Sequence, residues 1–130
     1  MNAEKGNGGI AERFKQALQQ TEQNRDASIV AGLFREGAQL TNLGGDHGTD
    51  PQKFWQIYLE QFSEIRSEFT SETIGENSAA LEWRSRGTSK EGKPVDYRGI
   101  SVIEFDGDAL TSFRTYYDSA AFVGAKATAA

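Results

Sequence analysis

The chain has 130 residues, 37% hydrophobic and 11% aromatic, with a formal net charge of −5 and no cysteine. That length and apolar content suit one domain with one core and exclude a disordered chain. The acidic balance, with basic residues scattered, excludes a phosphate-neutralising nucleic-acid face; the missing cysteines exclude disulfides, Cys-ligated zinc and a thiol nucleophile.

The opening MNAEKGNGG lacks the apolar centre of a secretory signal, and no run approaches the roughly 18 apolar residues of a membrane span. A cytoplasmic protein without membrane partners is the resulting expectation. Residues 1–9 read as a disordered tail, 10–122 as one folded domain and 123–130 as a flexible tail with nothing large to bury. Ile10, Phe14, Ala17 and Leu18 share one helical face. Asp26 then N-caps a short helix presenting Ile29, Val30, Leu33 and Phe34. A short strand is predicted over Ala38 to Asn42, followed by the Gly-rich LGGDHGT. The third helix has the clearest start, Asp50 at the N-cap and Pro51 at the first helical position. Phe54, Trp55, Tyr58, Leu59, Phe62 and Ile65 read as its continuous apolar stripe.

After Arg66 the period changes to two. Strands are predicted over Glu68 to Ile74, Ala79 to Thr88, Val95 to Phe105 and Leu110 to Asp118, joined by GEN, SKEGK and the two-residue DG. Connections this short imply an antiparallel meander. Helices followed by such a sheet define an α+β domain, its three N-terminal helices packed on one sheet face.

Alternation separates the two faces. Leu81, Trp83, Ser85 and Gly87 point one way with Tyr97, Gly99, Ser101, Ile103 and Phe105. Small residues at Ser85, Gly87, Gly99 and Ser101 stand where a filled core would carry Val or Ile. Ringed by Trp83, Tyr97 and the third helix, they imply a pocket. The opposite face carries Glu68, Glu72, Glu82, Arg84, Arg86, Asp96, Arg98 and Glu104, a pattern of cross-strand ion pairs worth little each when exposed. Ile74, Ile100 and Val102 interrupt it as an apolar strip, which reads as a homodimer interface through the outer sheet face.

LEWRSRGT, RGISVIEFDGDAL and FRTYYDSAAF, behind three helices, resemble the SnoaL-like branch of the nuclear transport factor 2-like superfamily. The resemblance covers nearly the whole domain. It implies a cone-like fold, in which a curved, mostly antiparallel sheet encloses a small-molecule pocket. Relatives include polyketide cyclases, limonene epoxide hydrolase and ketosteroid isomerase. RTYYD resembles the segment supplying the acid/base aspartate of the cyclases and the epoxide hydrolase, which makes Asp118 the candidate catalytic residue. LTN resembles the segment where the hydrolase holds its water with a tyrosine and an asparagine; Asn42 matches and Leu40 does not. The hydrolase's arginine and second aspartate align with Trp83 and Ser85, so its electrophilic half is missing. The isomerase's base aligns with Asn42 and its oxyanion-hole acid with Ser101, and the first helix has no tyrosine; that chemistry is excluded.

Asp118 therefore has two readings. It is a turn-former or arginine partner at a strand end, or a general base whose pKa burial would raise toward its working pH. The expected partner is a small hydrophobic, oxygenated molecule. Trp55, Tyr58, Trp83, Ser85, Tyr97, Ser101, Tyr116, Asn42 and His47 are the candidate contacts. Trp55 and Tyr58 serve equally well as core, and Trp83 and Tyr97 must also place a polar atom. The lone His47 in its loop is no metal centre, and neither a phosphate cradle nor a Ser-His-Asp set occurs. No cofactor is expected. The same fold without chemistry, binding a ligand or only dimerising, is the alternative.

Overall fold

The computed structural model describes residues 2–43, 45, 46, 48–120 and 122. Elements follow the order α1 (Asn2–Asn24), α2 (Ala27–Ala31), β1 (Phe34–Asn42), β2 (Gly45–Asp46), α3 (Pro51–Glu60), β3 (Phe62–Ile74), β4 (Ser78–Ser89), β5 (Pro94–Asp106) and β6 (Ala109–Tyr117). The starts of α2 and α3 are capped as their residue types dictate. The Asp26 carboxylate accepts from Ser28 N, and that of Asp50 from Lys53 N with Pro51 behind it. α1 begins at Asn2, inside the segment read as a tail, while the tail at 123–130 lies outside the described residues.

The sheet order is β2-β1-β6-β5-β4-β3. β3 to β6 form the antiparallel meander that their short turns require. β1 departs from that pattern by joining β6 in parallel, which its long connection through α3 and the meander allows. It also starts at Phe34 rather than Ala38, because α2 stops at Ala31 behind the Gly32 cap.

Phe62 and Ile65 belong to β3, not to the helix, since α3 ends at Glu60 and Gln61 caps it. A register shift between Phe62 and Glu64 lets two residues three apart both face inward. A bulged strand thereby mimics helical spacing.

Phe14 is the centre of the core, fully buried with its ring 6.3 Å from Trp55, 6.5 Å from Phe69 and 5.8 Å from Phe113. These tilted and edge-on pairs suit the aromatic quadrupole. The polar residues at the end of α1, and Arg25 just after it, have a separate task. β3 is the last strand of the sheet, so one row of its backbone groups lacks a strand partner. Gln19 Nε2 donates to Ser67 O (3.2 Å) and Glu22 Oε1 accepts from Ser67 N (2.7 Å). Arg25 Nη2 donates to Leu59 O and Phe62 O at 3.1 and 2.8 Å. Spaced three apart, these side chains saturate the α3–β3 corner and the sheet edge.

Two of the four small sheet residues are small for packing rather than for space. A Cβ at Gly99 would run into the Trp83 ring and Tyr116 O, and one at Gly87 into the β3 backbone at Glu64 and Ile65. Ser85 and Ser101 are the pair left facing the interior. On the outer face, Arg84 binds Asp96 through two contacts of 2.9 and 2.7 Å, and Arg114 pairs with Glu104 at 3.4 Å. Ile74 packs against the core and so leaves the outer apolar strip.

Candidate functional site

A cavity of about 320 Å³ opens between α3 and the inner sheet face. Trp55 and Tyr58 of α3, Trp83 and Ser85 of β4, Tyr97 and Ser101 of β5, and Asn42 of β1 line it. Those seven are among the residues singled out in the sequence. Ser67, Phe113, Thr115, Tyr117 and Phe122 line it as well, and were not anticipated.

Asp118 and Tyr116 are placed differently from expectation. In β6 the inward positions are Phe113, Thr115 and Tyr117, so period two sends Arg114, Tyr116 and residue 118 to the other side. Tyr116 is 42% exposed, opposite Ile100 on the outer face. Asp118 lies just beyond the strand end, exposed, its Oδ1 accepting from Ala120 N at 3.0 Å. That is the turn-forming role of an Asp carboxylate. Neither residue lines the cavity. His47 lies outside the described residues.

Among the described residues the buried carboxylate is Glu22, 4% exposed. Its Oε2 accepts from Tyr58 OH at 2.7 Å and from Ser67 Oγ at 2.6 Å, in addition to the backbone bond at Oε1. Burial raises its pKa above the ordinary 4.5, opposed by the donors on Ser67 and Tyr58 and by the nearby Arg66. Burial, then the Glu22 charge, pushes the Tyr58 phenol well up; burial and Tyr117 do the same to Tyr97. Both phenols therefore stay protonated and serve as neutral hydrogen-bonding groups. The signal for Glu22 was present in the sequence, because it continues the Phe14–Leu18 row of the helix face at i+4. An acid on an apolar row needs buried partners.

The polar groups of the cavity form short chains. Ser67 Oγ and Ser85 Oγ are 2.6 Å apart, Trp83 Nε1 donates to Ser101 Oγ at 2.9 Å, and Ser101 Oγ meets Thr115 Oγ1 at 3.0 Å. Among the described residues two buried side-chain atoms lack a partner, Trp55 Nε1 and Asn42 Oδ1, one a donor and the other an acceptor. Among the described residues no three acidic or histidine side chains converge on a metal-sized site.

Residues 11–113 match the family model of the SnoaL-like domain, and the chain belongs to that family. No curated protein matches the sequence. Solved structures share the fold at low identity. An NTF2-like protein from Anabaena variabilis is 21% identical with a TM-score of 0.76, covering 85% of this chain and 88% of its own. A hypothetical protein with a ketosteroid isomerase-like fold from Catenulispora acidiphila, solved with trimethylamine, is 14% identical at 0.74, covering 85% and 89%. TerC, co-crystallised with polyporic acid, is 11% identical at 0.74, covering 88% and 96%.

Proposed function

We propose that this protein binds a small, flat, largely apolar oxygenated molecule in the cavity between α3 and the sheet. The carrying observation is the unpartnered pair: a buried indole N–H that needs an acceptor and a buried amide oxygen that needs a donor. Leaving such atoms without partners costs about 1–3 kcal/mol each, so their retention beside a cavity suits a ligand that completes them. A hydroxyketone or an enolisable dicarbonyl offers a carbonyl to Trp55 and an O–H to Asn42. Aromatic walls with a few polar atoms, at the small end of the usual ligand-pocket range of about 300–1,000 Å³, support the same class. A cone-like enclosure, as in the SnoaL-like family, accords with this arrangement. Complexes of similar folds with trimethylamine and polyporic acid are consistent with small-molecule binding. The exposed position of Asp118 favours binding over chemistry driven from that residue.

Trp55→Phe tests this reading, since it keeps the ring and deletes the N–H. The variant is expected to fold at least as stably as the parent, having lost an unsatisfied donor, and to bind a hydroxyketone about 5- to 10-fold more weakly. Thermal denaturation with and without 2-hydroxyacetophenone reads both effects. Equal affinity in parent and variant would remove the indole from the site.

The outer sheet face supports a second association. Ala80, Ile100, Val102 and Tyr116 form an outward apolar strip framed by the Arg84–Asp96 and Arg114–Glu104 pairs. An apolar centre within a polar rim suits a homodimer. Sedimentation velocity is expected to show a dimer that Val102→Glu converts to monomer; a monomeric parent would refute it.

A further inference from the structure

We infer that Glu22 is the proton acceptor of the cavity, acting through the Tyr58 hydroxyl and the Ser67–Ser85 hydroxyl pair on a bound carbonyl compound with an acidic α-hydrogen. The inference rests on the binding reading above and adds a chemistry to it. Two hydroxyls on the cavity wall, Tyr58 and Ser67, both donate to Glu22 Oε2, and Ser85 extends the second arm by one more hydroxyl.

Behind Glu22 lies the outside. A surface groove between α1 and the β3–β4 ribbon is lined by Glu22, Arg25, Arg66, Arg84 and Arg86. Ser67 lines both the groove and the cavity. A single hydrogen-bonded layer therefore separates an apolar interior from water, with a carboxylate as its middle member. A purely structural group capping the β3 edge would need Ser67 N alone; here both cavity hydroxyls converge on the same oxygen.

The proton step balances. The α C–H bond breaks and its proton goes to Tyr58 oxygen as the Tyr58 proton passes to Glu22 Oε2. The C–H electron pair forms the enolate double bond, and the carbonyl π pair moves onto oxygen, where the unpartnered Trp55 N–H is an available donor. Tyr58 is neutral before and after; one negative charge moves from Glu22 to the ligand. Return of the proton from Glu22 to carbon regenerates the ketone or an isomer. Glu22 touches the ligand only through these hydroxyls and is thus a positioning and proton-storing residue.

The groups that set its titration come from every neighbouring element. Tyr58 faces it from α3, Tyr97 from β5 and Arg66 from β3. Along the groove stand Arg25 just after α1, Glu64 and Glu68 on β3, and Arg84 and Arg86 on β4. Burial outweighs the hydrogen bonds from Ser67 and Tyr58 and the charge of Arg66, so Glu22 ionises above its ordinary value.

The test is α-deuteration of 2-tetralone in D2O, followed by proton NMR across about pH 4 to 8, with binding read separately by saturation transfer. The parent is expected to accelerate exchange, the rate rising with pH to a plateau. Glu22→Gln should bind tetralone within a few-fold of the parent, lose about 100-fold or more in rate and lose the pH midpoint. The double variant Tyr58→Phe with Ser67→Ala leaves the carboxylate in place and should lose rate to the same extent, which covers the case of a misfolded Glu22 variant. Parent-like exchange in both variants overturns the inference, as does a parent that binds tetralone without accelerating exchange. A parent that binds no tetralone overturns the binding reading itself, and this inference with it.

Discussion

Phe14→Ala is expected to lower the unfolding free energy by about 3–5 kcal/mol. The ring is fully buried and packs against Trp55, Phe69 and Phe113, bridging α1 to both α3 and the sheet. Truncation removes the transfer energy of the ring and leaves a void that three large neighbours cannot close without leaving their rotamers. Domains of this size hold about 5–15 kcal/mol in total, so the loss is a large share. Urea unfolding should show a lower midpoint with an unchanged slope, since the same surface is exposed. Trp55 and Phe113 also line the cavity, so the variant should bind ligand more weakly even where it remains folded. A cost below about 1 kcal/mol would mean that the helix is not packed on the sheet through this ring.

The second large effect belongs to Glu22. Glu22→Ala removes the acceptor of three hydrogen bonds and leaves Ser67 N–H and the Tyr58 hydroxyl buried without it. A cost of about 2–4 kcal/mol is expected near neutral pH, reduced by the desolvation that the carboxylate no longer suffers. The pH dependence carries a definite sign. Because the folded-state pKa is raised, the folded protein holds the proton more tightly than the unfolded chain does. The associated stability is fully present below the ordinary 4.5 and is lost as pH rises through the elevated folded value. Relative to Glu22→Gln, which cannot titrate, the parent should therefore lose stability with rising pH across that window. A flat difference would mean that Glu22 titrates as an exposed carboxylate, and one of opposite slope that its hydrogen bonds outweigh its burial.

Much of this architecture was legible because it rests on local chemistry. Asp50 and Pro51 define a helix start by themselves, and the DG signal marks a hairpin whose two-residue loop falls one residue later than predicted, at Gly107 and Asp108, with Asp106 paired to Ala109 and Gly107 at φ 64°. Period two in β4 and β5 likewise assigned Trp83, Ser85, Tyr97 and Ser101 to the interior. What escaped was non-local. The parallel pairing of β1 with β6 depends on a partner some seventy residues away, which no local pattern marks. Phe62 and Ile65 escaped because a bulge gives a strand the spacing of a helix.

The site shows the same division. Asp118 was singled out through family resemblance, yet the alternation that placed Trp83 and Ser85 inside also puts 113, 115 and 117 inside and 118 outside. Applied to β6, it would have exchanged Tyr116 for Tyr117. Glu22 was visible as an acid on an apolar helix row, but its partners Tyr58 and Ser67 sit on other elements and become neighbours only in the fold. In the sequence Gly87 and Gly99 suggest space, whereas in the fold their missing Cβ atoms accommodate the β3 backbone and the Trp83 ring.

The central claim is that the cavity is a binding site completed by a ligand acceptor at Trp55. The chain has two tryptophans, so two indole N–H resonances report on the matter directly. Trp83 Nε1 is already bonded to Ser101 Oγ, while Trp55 Nε1 has no partner. In a proton–nitrogen NMR titration with 2-hydroxyacetophenone, the Trp55 indole resonance is expected to move downfield with saturation while that of Trp83 shifts little. Two stationary indole signals at millimolar ligand, or movement of the Trp83 signal alone, would contradict it.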